Sequence, residues 1–321
     1  MFLGVLSNEK LNPWVNWTTL GPPLLGPLAQ KDRAILLAPP PLSLRNVDEW
    51  WRILKKVRQA DTLFWMQGSS RPEPPLHALS ILRGRVRRAA FVVDAWRPAI
   101  AKIGMLATIQ HLDPCFVAFR EGYEELSRRY PRSRFEWLPF GVDTNVFDSY
   151  DEKRPIFAFW MGRRYEPLHQ ALLQYCTERG LDYRYRQPGI FPTPLELGRM
   201  AGSSRYFIVT PPDLDNPART GGFSPLVMRY LEGLAAGCRL LGVLPKSGEY
   251  ESLLPLDAIL QVAPDGSDLA VKLDADRGNP DAHLGVERGR TIVRTCHSWD
   301  VRAQQIFDRL SVGKSPAFCA P

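Results

Sequence analysis

Arg229 and Glu232 stand three residues apart in "GGFSPLVMRYLEGLAAGCRLLGV", residues 221–243, where Glu232 is the sole acidic residue. On an exposed helix such a pair is an ordinary surface contact worth a few tenths of a kcal/mol. Beside a ligand, the same carboxylate accepts hydrogen bonds and the arginine meets an anion. The surrounding residues predict how the two are held. Ser224 is a suitable N-cap and Pro225 a suitable first helical residue. Leu226, Val227, Tyr230, Leu231 and Leu234 recur at helical spacing, Gly237 suits a left-handed stop, and "CRLLGVL" reads as a buried strand. Loop, helix, glycine stop and strand together make a unit of an open parallel α/β sheet, which binds ligands at the carboxyl ends of its strands. Thr220, Gly221 and Gly222, just ahead of the expected helix, would offer free N–H groups to a phosphate.

The rest of the chain repeats this pattern. In the first half, strands are expected at "FLGVLS", "AILLAP", "TLFWMQ", "AAFVVDAW", "CFVAF" and "FEWLPF", with helices at 47–60, 75–82, 99–110 and 121–130. In the second, "IFAFWMG", "DYRYRQ", "RYFIVTP", "CRLLGVL" and "AILQV" alternate with helices at 168–179, 194–201, 225–236 and 267–273, and one long helix closes the chain at 286–310. The polar stretch "GVDTNVFDSYDEKRP", residues 141–155, separates the two series. The expected architecture is therefore two Rossmann-like domains, 1–150 and 151–321, facing each other across a ligand-holding cleft, the final helix packing back on the first domain.

Composition narrows the class. A chain of 321 residues exceeds the usual single core. No apolar run is long enough to span a bilayer, and the start of the chain lacks the basic n-region of a signal peptide. The five cysteines form no CxxC pair, so neither a disulfide framework nor a zinc site is indicated, and the cytoplasm is the expected compartment. The net charge of +7, concentrated in "RGRVRR" (83–88) and in Arg128, Arg129, Arg132 and Arg134, points to an anionic partner or to peripheral contact with the inner face of a membrane. No nucleic-acid-binding module is present.

The segments "FEWLPFGVDTNVF", "IFAFWMGRR", "YLEGLAAGCRLLGV", "YESLLP", "APDGSDLAVKL" and "CHSWDVRAQQIFDRL" occur in that order. Together they resemble the GT-B-fold glycosyltransferases of the group 1, family 4-like type, whose C-terminal helix reads Arg-x-x-Glu-x-x-Ala-x-Gly. The resemblance covers residues 135–310 in detail and the first half through its βα pattern. It implies a nucleotide-diphosphate-sugar donor, a hydroxyl acceptor on a glycan, a lipid-linked carrier or a small molecule, and a retaining, metal-independent transfer with no cofactor. Glu232 matches the glutamate that binds the donor ribose, and Arg163, with Arg164 beside it, matches the basic residue on the diphosphate. Arg229 would orient Glu232 or reach a phosphate, and Gly222, Phe223 and Ser224 would line the donor site.

Two positions depart from the pattern. Ser224 stands where many retaining members carry an acid, and "RRYEPL" lacks the usual lysine after the arginine. A degenerate copy that only binds a sugar nucleotide or a partner protein therefore stays open beside the enzyme. Should the reaction invert, a general base from the first domain is needed. Asp94, at the end of a strand, and His111 are the candidates, Asp113 a weaker one. Trp14 and Trp17 either stack on an acceptor sugar or pack in the core.

Overall fold

Runs such as "TLFWMQ" are apolar on both faces, which suits strands covered by helices on either side. In the computed structural model, which describes residues 1–7, 20–68, 86–186 and 193–312, every such run is a strand and every strand pairing is parallel. The first sheet contains β1 (Leu3–Leu6), β2 (Ala34–Leu37), β3 (Thr62–Gln67), β4 (Arg87–Val92), β5 (Leu112–Val117) and β6 (Phe135–Trp137), in the order β2-β1-β3-β4-β5-β6. The second contains β7 (Ile156–Met161), β8 (Tyr183–Arg186), β9 (Ser204–Val209), β10 (Arg239–Gly242) and β11 (Ile259–Gln261), in the order β11-β10-β9-β7-β8. In each sheet the strand order reverses beside the first strand, so the crevices for a ligand lie at the carboxyl ends of β1 and β3 and of β7 and β9.

The chain divides into two units, Met1–Phe140 with the helix that begins at Trp299, and Gly141–Ser298. Residues 141–150, expected with the first domain, are held by the second. Val142 N donates to His297 O at 3.0 Å, Tyr150 N donates to Gly202 O at 3.4 Å, and Arg290 pairs with Asp148. The last helix, Trp299–Val312, lies against the helix Gly21–Ala29 of the first unit. Its Arg302 is fully buried, and its Nε donates to the carbonyls of Pro139, at 2.7 Å, and Phe140, at 3.3 Å. In the second unit the core gathers Phe157, Trp160, Leu172, Tyr206, Ile208 and Leu241 between sheet and helices.

Three expectations are corrected. The single helix expected at 286–310 is two, Ala282–Cys296 and Trp299–Val312. Ser298 leaves the helical path to form a parallel bridge with Val142, a long-range pairing that helical periodicity on either side conceals. A helix at Gly21–Ala29 was not expected, because "GPPLLGPLA" is rich in poor helix formers; Pro22 and Pro23 are tolerated in the first turn, Pro27 lies inside the helix, and the buried Leu24, Leu25 and Leu28 hold it in place. The helix of Glu232 begins at Met228 rather than at Pro225. Its carboxyl end is as expected: Cys238 N donates to Gly233 O and Gly237 N to Leu234 O, both at 2.9 Å, with Gly237 at φ +70°, which is a Schellman stop. The expected helix at 75–82, Trp14, Trp17 and the start of "RGRVRR" lie outside the described residues. Among the described residues no helix is long and apolar enough to cross a membrane.

Candidate functional site

The loop "MGRR" leaves the carboxyl end of β7, at the reversal of the second sheet, and carries Arg163 and Arg164. Arg163 is exposed and its carbonyl is bound from two sides, by Trp160 Nε1 at 3.0 Å and by Arg229 Nη1 at 3.4 Å. The second bond brings Arg229, from the helix Met228–Ala235, to the same loop. Gly162 takes φ +85°, a conformation that favours glycine, and lies against the Arg229 guanidinium, where a Cβ would make an ordinary contact of 3.6 Å with Nη1. Arg164 is less extended, its guanidinium lying 4.7 Å above the Tyr185 ring at the end of β8. His169 packs against the same tyrosine, and burial followed by the Arg164 charge pulls its pKa down.

Glu232 lies one helical turn from Arg229, yet the two form no salt bridge. The surface-pair reading therefore fails. Glu232 is only 3% exposed, and its Oε2 has no hydrogen-bond partner among the described residues. Burial raises its pKa to about 7, the Arg229 charge working in the opposite direction. A buried carboxylate oxygen without a partner is costly, and a bound water or a ligand that donates to it removes that cost. The next residue explains how the helix comes so close to the sheet. A Cβ on Gly233 would fall 2.6 Å from Leu240 Cδ2 and 2.9 Å from the Phe207 ring, so only glycine permits this approach to β9 and β10.

The loop ahead of this helix is arranged differently from the expectation. Ser224 is buried and is not the N-cap; its Oγ accepts from Lys246 N at 3.1 Å, and the N-cap position belongs to Val227. Gly221 N donates to Pro217 O, Gly222 N to Thr220 Oγ1, Phe223 N to Thr220 O and Leu226 N to the Glu249 carboxylate. Those N–H groups are engaged within the loop and do not form an open phosphate cradle. Gly222 is exposed, whereas the Phe223 side chain is buried in the core.

A second buried polar group of this unit lies in a stretch without helical or strand periodicity. Asp213, in the turn after β9, is 7% exposed in its side chain and binds Lys246 Nζ at 2.8 Å through Oδ2, while its Oδ1 has no partner among the described residues. Thr210 Oγ1, at the mouth of β9, and Asp215 Oδ1 are also buried without partners there. The signal was present in "TPPDLDNP", a polar turn directly after a strand on the binding edge, but no regular spacing marks it.

In the first unit, Asp94 follows the carboxyl end of β4, the edge on which such sheets bind ligands. His111 sits at the other edge, exposed and at φ +51°, immediately before β5 begins. With Arg88 of β4 aligned to Leu112 and Val92 to Val117, the two residues are separated by about six strand residues, on the order of 20 Å. The structure does not bring them together. Asp113 pairs with Arg134 beside His111.

No family model matches the sequence, and neither does any curated protein. Solved structures do. HepE from Anabaena in complex with UDP superposes at a TM-score of 0.60 with 12% identity, over 97% of this chain and 100% of that one. The fold is GT-B. The UDP-glucose complex of HepE gives 0.59 at 10% identity, over 97% of this chain and 99% of that one. The complex of accessory secretory proteins 1, 2 and 3 from Streptococcus pneumoniae gives 0.53 at 10% identity, over 83% of this chain and 56% of that one. At these identities the likeness concerns the architecture of the GT-B chain, two Rossmann-like halves of six and five strands.

Proposed function

We propose that this chain is a glycosyltransferase that binds a nucleoside-diphosphate sugar in its second unit and passes the sugar to a hydroxyl acceptor. One observation carries the reading: Glu232, buried and with no hydrogen-bond partner for its Oε2 among the described residues, lies one helical turn from Arg229, whose guanidinium reaches the carbonyl of Arg163 in the loop after β7. A ribose offers two neighbouring hydroxyls, the donors that such a carboxylate lacks. Arg163 and Arg229 then meet the diphosphate and stabilise the charge that develops on it as the sugar departs. They supply positive charge that a divalent ion would otherwise bring, so the transfer is metal-independent in this reading. With retention of configuration the departing phosphate takes the acceptor's proton; with inversion Asp94 is the base, being on the binding edge of its sheet as His111 is not. The UDP and UDP-glucose held by HepE, a protein of the same fold, support a uridine nucleotide as the first donor to try.

A second reading has its own observation. The amides of Gly221, Gly222 and Phe223 are tied within their loop and Ser224 is held by Lys246, so fewer groups converge on a donor sugar than the fold can provide. A module that binds the nucleotide without transferring the sugar has this form.

The test is a thermal-shift series with UDP, GDP, ADP, TDP and CDP on the full chain. One diphosphate is expected to stabilise it, by about 2.7 kcal/mol at about 100 times its Kd. The shift disappears in Glu232→Ala and falls steeply in Arg163→Ala. No shift with any diphosphate overturns the donor site. A shift accompanied by no sugar transfer or donor hydrolysis selects the binding module.

A further inference from the structure

The net positive charge of the first half is distributed otherwise than its arginine runs suggest. Arg87 donates to the carbonyls of Asp113 and Leu310, and Arg88, buried, to that of Gln110. Arg129 pairs with Glu125, and Arg134 with Glu136. Arg87 and Arg88 are thus used inside the protein, whereas Arg128 and Arg132 are exposed and form no salt bridge among the described residues.

A second stretch carries five exposed cations, Arg45, Arg52, Lys55, Lys56 and Arg58. Leu44–Asn46 forms a single 3-10 turn that runs into the helix Val47–Val57. Asn46 Nδ2 donates to Pro41 O, and Arg45 N donates to Ser43 Oγ, which fixes the turn. Leu44, Val47 and Trp51 follow at spacings of three and four, one ridge of a helix, and all three are exposed, Leu44 by 92%. Leu42 is exposed just ahead of them. The opposite side of the helix, with Ile53 and Val57, is buried against the domain. On the helix Arg58 and Lys55 stand nearest the ridge, with Arg52 and Lys56 further round, and none of the five cations forms a salt bridge among the described residues; Arg52 Nε donates to the carbonyl of Asp48 at 3.4 Å. The Arg58 guanidinium stands 5.8 Å from the centre of the Trp51 ring. Only Asp48 and Glu49 oppose these five cations within the helix and its turn.

We propose that the Leu42–Arg58 face docks on the surface of an anionic lipid bilayer. The leucines and Val47 enter the boundary between headgroups and acyl chains, the amphipathic Trp51 lies at headgroup level, and the cations meet lipid phosphates. Charge selects this occupant over a protein partner, and so does area. Four apolar side chains are far fewer than the roughly 20–30 residues a stable protein interface takes from each side. A few apolar anchors with a basic surround are what reversible binding to a bilayer needs.

The full chain is sedimented with sucrose-loaded vesicles of phosphatidylcholine, alone or with added phosphatidylglycerol. Binding is expected to the anionic vesicles, to be weak on phosphatidylcholine and to fall as salt is raised. Each cation near the surface contributes about fivefold, so Arg52→Gln/Lys55→Gln/Lys56→Gln should weaken binding on the order of 100-fold. Leu44→Glu/Trp51→Glu should weaken it by about tenfold or more, while the circular-dichroism melt of both variants, whose changes are all at exposed positions, stays that of the wild type. Equal binding to both vesicle types, binding to neither, or variants that bind as the wild type does would overturn the proposal. So would self-association of the wild type, abolished in Leu44→Glu/Trp51→Glu, in a protein that ignores vesicles.

Discussion

Glu232→Gln is expected to stabilise the unliganded protein by about 3 kcal/mol near pH 8 relative to its effect near pH 4. Burial holds the Glu232 carboxyl at about 7, against 4.5 for the free side chain, despite the Arg229 charge that favours ionisation. A carboxyl whose folded pKa is raised keeps its proton longer in the native state than in the unfolded one. Between 4.5 and about 7 the unfolded chain therefore binds fewer protons, and native stability falls as pH rises through that window. Below it the contribution is intact, and above it the loss is complete and constant. Glutamine does not titrate, so the difference between the two unfolding free energies, measured in urea across the range, isolates this one group. A flat difference would mean that Glu232 is solvated or paired in solution. The same variant is expected to bind nucleoside diphosphates more weakly, so stability and function change in opposite directions.

The second large effect belongs to Arg302. Its Nε holds the carbonyls of Pro139 and Phe140, just past the end of β6, and its Nη1 donates to Gln305 at 2.9 Å. Arg302→Ala leaves buried carbonyls unpaired and a space where a fully buried guanidinium stood, at a cost of about 4 kcal/mol. The urea midpoint of the first unit should drop accordingly. Arg302→Lys keeps the charge but not the planar fork and should fall between the two. A loss under about 1 kcal/mol for the alanine variant would show that this helix is not held by that contact.

Much of this was legible in the sequence, for identifiable reasons. Buried parallel strands advertise themselves as continuous apolar runs, and Gly237 announces the helix stop because few other residues accept its φ. Glu232 could be singled out because a lone carboxylate among apolar helix residues needs an explanation. Ser224 misled because serine before proline is a good N-cap locally, whereas its hydroxyl is claimed by Lys246 N, twenty-two positions away. The break at Ser298, and the Oδ1 of Asp213 that has no partner among the described residues, rest likewise on long-range placement that no local spacing encodes. The first arginine run misled for a related reason, since Arg87 and Arg88 serve carbonyls brought near by the fold, while Arg128 and Arg132 of the second run are exposed.

The most direct measurement compares, by calorimetric titration, UDP with its 2′,3′-dideoxy analogue (or the corresponding pair for whichever base stabilises the chain). If the Glu232 carboxylate receives the ribose hydroxyls, the wild type should bind the dideoxy compound on the order of 100-fold more weakly, the cost of hydrogen bonds to a charged acceptor, while Glu232→Gln should discriminate far less. Equal affinity of the wild type for the two compounds would contradict the role assigned to Glu232.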